Sequence, residues 1–152
     1  MDLTIRPARE EDAEAISVVV LRALRETNAK DYTDENIERI ARGFGPDAVR
    51  TLIENRIVFV ATQGGRVVGT ASLDGHVVRT VFVNPDMQAR AIGRLLMAEI
   101  ERTARGQNIP ALTLSSSITA ENFYAKLGYV AVRDNYHGDE RTIIMERRLD
   151  RP

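Results

Sequence analysis

Residues 77–130, VVRTVFVNPDMQARAIGRLLMAEIERTARGQNIPALTLSSSITAENFYAKLGYV, decide the fold. The stretch reads as an apolar strand that stops at Asn84-Pro85, an irregular turn, and a long amphipathic helix with Ile92, Leu95, Leu96, Ile100 and Ala104 at helical spacing. Gly106 is placed to end that helix. A second apolar strand follows from Ala111 to Ser115, then a short helix from Ala120 to Leu127 that carries Phe123-Tyr124 and closes at Gly128. A helix that opens just after a strand offers free backbone N–H groups and the positive end of its dipole, which favour a phosphate or pyrophosphate. The stretch therefore predicts a phosphorylated cofactor.

Working outward, Leu3 and Ile5 alternate with polar neighbours before Pro7, as in a short strand, and Ile16, Val19, Val20, Ala23 and Leu24 recur on one helical face up to Asn28. Residues 33–55 predict two short helices broken near Pro46. Residues 57–61 and 67–73 read as strands joined by a tight Gly64-Gly65 turn, and with the strand at 77–83 they make a meander. Strands near 129–133 and 141–148 complete the chain, with a loop from Asn135 to Glu140 between them. The order predicts a mixed sheet with helices on both faces.

The chain has 152 residues and 43% hydrophobic content, enough for one core and too little for two ordinary domains, so 1–152 is expected to be a single domain. Its 21 Lys and Arg against 22 Asp and Glu leave a net charge of -1, which gives no global drive toward nucleic acid or anionic lipid. There is no cysteine, which excludes thiolate metal ligation and a thioester intermediate on the enzyme. No metal cluster, Walker loop or Ser/His/Asp arrangement is visible. The N-terminus shows no secretory pattern and no stretch is long and apolar enough to span a bilayer, so the expected location is cytoplasmic.

This order of elements, with Val83-Asn84-Pro85, then Gln88-Ala89-Arg90-Ala91-Ile92-Gly93, then Arg94-Leu95-Leu96-Met97, resembles the GNAT superfamily of acyl-CoA-dependent N-acetyltransferases along nearly the whole chain. The loop is similar to the family's (Arg/Gln)-x-x-Gly-x-(Gly/Ala) pattern. A second element, Ala120-Glu121-Asn122-Phe123-Tyr124-Ala125-Lys126-Leu127-Gly128-Tyr129, resembles the family's Ala-x-x-Phe-Tyr-x-x-x-Gly-(Phe/Tyr) helix. Here Ala91 replaces the loop's first glycine, which suits a residue already in the first helical turn with its N–H free.

The resemblance implies an α/β (α+β) GNAT fold: a mixed, mostly antiparallel sheet of six to seven strands, flanked by helices and splayed between the fourth and fifth. It implies acetyl-CoA as co-substrate, with its pantetheine arm against the backbone of Val81, Phe82 and Val83. The pyrophosphate would lie on the segment Gln88, Ala89, Arg90, Ala91, Ile92, Gly93 and Arg94. Ser117 stands where relatives often carry an asparagine, and Asn122 lies nearby; both are cofactor-side candidates. Tyr124 is the implied acid at the thioester sulfur, because a phenol near ~10 can serve a thiol near ~8.5.

Many relatives carry a glutamate on the strand that here reads His76 to Val81, and this chain has none there. Asp74, His76 and His137 are candidates for relaying a proton through water, and no residue is assigned as base. The acceptor is an amine, on a small molecule or on a protein or peptide, and acidic Asp31, Asp34, Glu35, Asp139 and Glu140 would attract a cationic one. A homodimer through the last strands fits the resemblance. The alternative function is a non-catalytic acyl-CoA-binding sensory or regulatory module, and a third is a structural dimerisation domain.

Overall fold

The structure, a computed structural model, describes residues 2–87 and 89–150. Strand β1 (Leu3–Pro7) leads into α1 (Ala13–Glu26), α2 (Asp34–Ala41) and α3 (Pro46–Asn55). The meander β2 (Ile57–Gln63), β3 (Arg66–Asp74) and β4 (Val77–Val83) follows, then α4 (Ala89–Gly106), β5 (Ala111–Ser117) and α5 (Glu121–Lys126). A hairpin of β6 (Val130–His137) and β7 (Glu140–Arg148) comes last. The seven strands form one sheet in the order β1-β2-β3-β4-β5-β7-β6. Every neighbouring pair is antiparallel except β4 and β5, which run parallel.

Side chains alternate across a strand, so one sheet feeds two cores. Val58 and Val60 join Ile16, Val20, Leu24 and Ile37 beneath α1–α3. Phe59 and Ala61 join Leu73, Leu96, Met97 and Ile100 beneath α4. Each of these Val, Leu, Ile, Phe and Met side chains, taken fully out of water, contributes roughly 1.5–3 kcal/mol. The sheet is thus held between two helical layers, as the order of elements predicts.

Local chemistry sets the element ends. Thr33 Oγ1 accepts the Asn36 N–H at 3.1 Å and caps α2, and Pro46 opens α3 at a position where its missing N–H is not needed. A turn of 3-10 helix, Arg42–Phe44, separates the two, tied down by Ser17 Oγ donating to the Phe44 carbonyl at 2.6 Å.

Three local expectations change. Leu95 is 46% exposed, and the buried stripe of α4 runs through Ile92, Leu96, Met97, Ile100 and Ala104 instead. The residue that turns the chain out of α4 is Asn108 (φ 60°) rather than Gly106, with Ile109 N–H bonded to the Ala104 carbonyl at 3.0 Å and Asn108 N–H to that of Arg105 at 3.1 Å. The expected loop 135–140 is mostly strand: His137 pairs with Glu140 across a turn whose Gly138 takes φ 64°.

Candidate active site

Strands β4 and β5 pair only where Val77 faces Thr113 and Val78 faces Leu114. Beyond that point they diverge, and β4 carries a bulge. Thr70 faces Phe82 but Ser72 faces Arg79, so Ala71 lies opposite two residues, Thr80 and Val81. Thr80 occupies the left-handed region (φ 56°), a strained conformation for a β-branched residue. Ser72 Oγ donates to the Arg79 carbonyl at 2.7 Å and Arg56 Nη1 to Thr80 Oγ1 at 3.2 Å, which hold the kink from both sides.

The bulge makes a stability prediction. Glycine at position 80 removes the backbone strain, worth about 1–3 kcal/mol, while raising chain entropy in the unfolded state by a smaller amount. Thr80→Gly is expected to unfold in urea within about 1 kcal/mol of the parent or above it, despite the lost hydrogen bond. A clear loss of stability would show that the turn is unstrained.

Past the bulge the ladder determines which amides are free. Asn84 N–H donates to the Val68 carbonyl at 2.8 Å, and bonded pairs recur every second residue, so Phe82 opposite Thr70 is the next. The N–H and C=O groups of Val81 and Val83 consequently point to the diverging edge. Among the described residues no strand takes them up there.

The gap opens into a cavity of about 800 Å³, within the usual range of a small-molecule site (~300–1,000 Å³). Pro85, Ala89, Arg90 and Gly93 line one end, at the first turn of α4. The loop leading to that turn is braced from α1. Asn84 Oδ1 accepts the Asp86 N–H at 3.0 Å and Arg22 Nη1 at 3.2 Å, and Arg22 also pairs with Asp86 at 2.9 Å. Tyr32, Ile37, Ile40, Phe44 and Arg56, from the layer of α1–α3, and Glu140, from the β6–β7 hairpin, also line it.

Tyr124 lies in the cavity wall, 6% exposed, with its ring edge-on to Phe123 at 5.1 Å and Tyr129 at 5.8 Å. Its hydroxyl has no hydrogen-bond partner among the described residues. Burial pushes the phenol well above its ordinary ~10, so it is protonated throughout the physiological range.

Residues 28–145 match the family described as acetyltransferase (GNAT) domain. The chain belongs to the GNAT acetyltransferases. It is 34% identical over 58 residues to the uncharacterized N-acetyltransferase ycf52 of Gracilaria tenuistipitata var. liui, a match covering 38% of this chain and 32% of that protein. The GCN5-related N-acetyltransferase (aminotransferase, class II) of Rhodopseudomonas palustris superposes with a TM-score of 0.91 at 27% identity, over 98% of this chain and 97% of the other. The PaiA N-acetyltransferase of Thermoplasma acidophilum, solved in complex with coenzyme A, superposes at 0.83 with 21% identity, over 97% and 99%.

In this acetyltransferase the residues singled out from sequence fall into distinct places. Val81, Phe82, Val83, Ala89, Arg90, Gly93, Ser117, Asn122 and Tyr124 all line the cavity. Ala91 is in the first turn of α4 and half-buried, while Ile92 is buried, packs in the core and does not line the cavity. Arg94 is exposed and does not line the cavity. Gln88 lies outside the described residues. The Ser117 hydroxyl accepts the Ala120 N–H at 3.1 Å, which ties the end of β5 to the start of α5.

Neither histidine reaches the cavity: His76 is exposed at the start of β4 and His137 ends β6. Asp74 pairs with Arg79 at 3.1 Å. Of the acidic candidates, Asp31 accepts from Thr119 Oγ1 at 2.8 Å, Asp139 accepts from Asn36 Nδ2 at 3.1 Å, and Asp34 and Glu35 face solvent in the first turn of α2. Glu140 alone among them lines the cavity, bound to Arg39.

Sequence reasoning missed a clamp across the far mouth. Tyr32 donates its hydroxyl to the Arg141 carbonyl at 2.7 Å and accepts the Ile118 N–H at 2.8 Å. With Arg39–Glu140 and Asn36–Asp139 it joins α2 to the β6–β7 hairpin. These partners are about a hundred residues apart, so no local pattern points to them. Among the described residues no group of three His, Asp or Glu could hold a metal ion, and no helix is long and apolar enough to cross a membrane.

Proposed function

We propose that residues 1–152 act as one N-acetyltransferase domain that moves acetyl from acetyl-CoA directly to an amine within a ternary complex. The gap between β4 and β5, with unpaired amides on one edge and the Tyr124 hydroxyl in its wall, is the observation that carries this reading. The Thermoplasma acidophilum protein of the same fold holds coenzyme A, and we carry that ligand over to this gap. The pantetheine amides pair with the free edge of Val81 and Val83, continuing the sheet. The first turn of α4 takes the pyrophosphate on the free N–H groups of Ala89, Arg90 and Ala91, with the Arg90 side chain adding charge, Arg94 a more distant contribution, and Gly93 leaving room for the ligand beside the helix. Ser117 and Asn122 border the arm on the β5–α5 side.

Transfer forms a C–N bond and breaks a C–S bond; the amine loses one proton and the sulfur gains one. With no cysteine, the acyl group does not pass through an enzyme thiol. Tyr124 serves the sulfur. Its burial makes it a weaker acid than a free thiol, so it first donates a hydrogen bond to the developing thiolate, and proton delivery accompanies solvent access as products leave. The Val81 or Val83 N–H supports the oxyanion, since that of Phe82 is turned toward Thr70. Glu140 is the carboxylate lining the same cavity and takes the amine proton, directly or through water.

The enzyme is read as cytoplasmic. A homodimer through β6 is supported by that edge strand's exposed Val130 (64%) and Val132 (47%). The deciding measurement is calorimetry with acetyl-CoA, followed by thiol release with a panel of amines. Saturable binding and amine-dependent thiol release are expected. Binding with no turnover on any amine would make the chain a sensory module, and no binding at millimolar cofactor would reject the assignment.

A further inference from the structure

Arg56 follows α3 on extended backbone (φ −131°, ψ 168°), with its N–H bonded to the Leu52 carbonyl at 2.9 Å. Its side chain is half-buried in the cavity wall. A guanidinium has five N–H donors, and here one goes to Thr80 Oγ1 at 3.2 Å. No carboxylate pairs with it among the described residues. Arg79, its neighbour in the wall, is already matched by Asp74. Burial and the Arg79 charge both push Arg56 below its ordinary value, and Asp74 offsets this only in part. The cavity wall thus holds a guanidinium with spare donors and, among the described residues, no carboxylate bonded to it, an arrangement that an incoming anion would relieve.

Its place in the cavity says which ligand brings that anion. Arg56 meets β4 at Thr80, within the bulge, whereas the first turn of α4 follows the strand's end at Val83. Leu24, Ile37, Ile40 and Phe44 line the same cavity, Phe44 packed edge-on against Phe82 at 6.1 Å. One unmatched guanidinium suits a monoanion, and its planar fork suits a carboxylate. The apolar wall suits a hydrocarbon body.

We infer that Arg56 anchors a carboxylate on the acceptor, so that the amine acetylated here belongs to a molecule of the apolar amino-acid class. This rests on the acetyltransferase reading above and adds the substrate class to it. The carboxylate lies on Arg56, the side chain against Ile37, Ile40 and Phe44, and the amine points toward the thioester.

The test is calorimetry on the protein saturated with coenzyme A, titrated with N-acetyl-leucine and separately with N-acetyl-leucinamide, which lacks the charge. The carboxylate is expected to bind about 10-fold to 100-fold more tightly than the amide, the range for one charge-assisted hydrogen-bonded contact. In Arg56→Gln the two should bind alike, and Arg56→Lys should keep part of the difference. Coenzyme A affinity should be unchanged in both variants, which separates loss of the anchor from loss of the fold. Equal affinity of the two ligands for the parent protein, or no binding of either while coenzyme A saturates, overturns the anchor and leaves the acetyltransferase reading standing. Failure of coenzyme A itself to saturate overturns both.

Discussion

Tyr124→Phe is expected to lower kcat by about 10²–10⁴, the usual contribution of a positioned proton or hydrogen-bond donor, while the affinity for acetyl-CoA changes by less than about threefold. The substitution is unusually clean. The hydroxyl has no partner among the described residues, so its removal strands no buried group there and should leave the unfolding free energy within about 1 kcal/mol of the parent. The ring contacts with Phe123 and Tyr129, at 5.1 Å and 5.8 Å, survive in phenylalanine. Acid and alkaline limbs can also be told apart. Because burial raises the phenol above its ordinary ~10, its ionisation produces no fall in rate up to that pH. Rate should instead climb with pH as the acceptor amine loses its proton. A parent-like kcat in Tyr124→Phe, or a falling limb near neutral pH that this substitution removes, would reject the assigned role.

The second large effect is expected at Gly93. A Cβ built there comes 2.9 Å from Phe123 Cζ and 3.2 Å from Cε1, so this glycine is needed for contact between α4 and α5. Phe123 is held in turn by Tyr124, and a rigid ring cannot bend aside as an aliphatic chain could. Gly93→Ala should therefore destabilise by about 1–3 kcal/mol, which for a chain of this size lowers Tm by roughly 2–12 °C. It should also cut kcat, because the displaced residue adjoins the phenol. Gly93→Glu adds a negative charge where the cavity meets the first turn of α4 and should abolish coenzyme A binding as well. Adding Phe123→Leu to Gly93→Ala should recover more stability than the sum of the two single changes predicts. Strict additivity, or a parent-like Tm for Gly93→Ala, would mean the helices have room to spare.

What could be read from sequence divides along a physical line. The meander 57–83, the helix 89–106 and the aromatic pair at 123–124 were legible because each is stated locally, by alternation, by helical period or by a contiguous motif. Leu95 misled because it fits the period but lies at the margin of the stripe, and only packing decides between it and Met97. The end of α4 misled for a related reason, since Asn108 can take the left-handed turn that glycine usually supplies. The β4 bulge is a mismatch of register between two strands, and no single strand's sequence contains it. Arg56 gave no sign at all. Its meaning comes from a missing partner, and absence of a counter-ion is a property of the assembled cavity.

The clamp at the far mouth divides the molecule's labour. Everything that would grip the nucleotide handle is written in one unbroken passage from Val77 to Tyr129, so it can be inherited as a block. The clamp, which under the proposed function would border the acceptor, is written in separate stretches, around Tyr32–Arg39 and around Asp139–Arg141, with Tyr32 also bound to Ile118, and these meet only after folding. A lineage acquiring a new substrate would then revise both stretches in step, and the bonds of Tyr32 to Ile118 and Asp31 to Thr119 tie that revision to the end of β5.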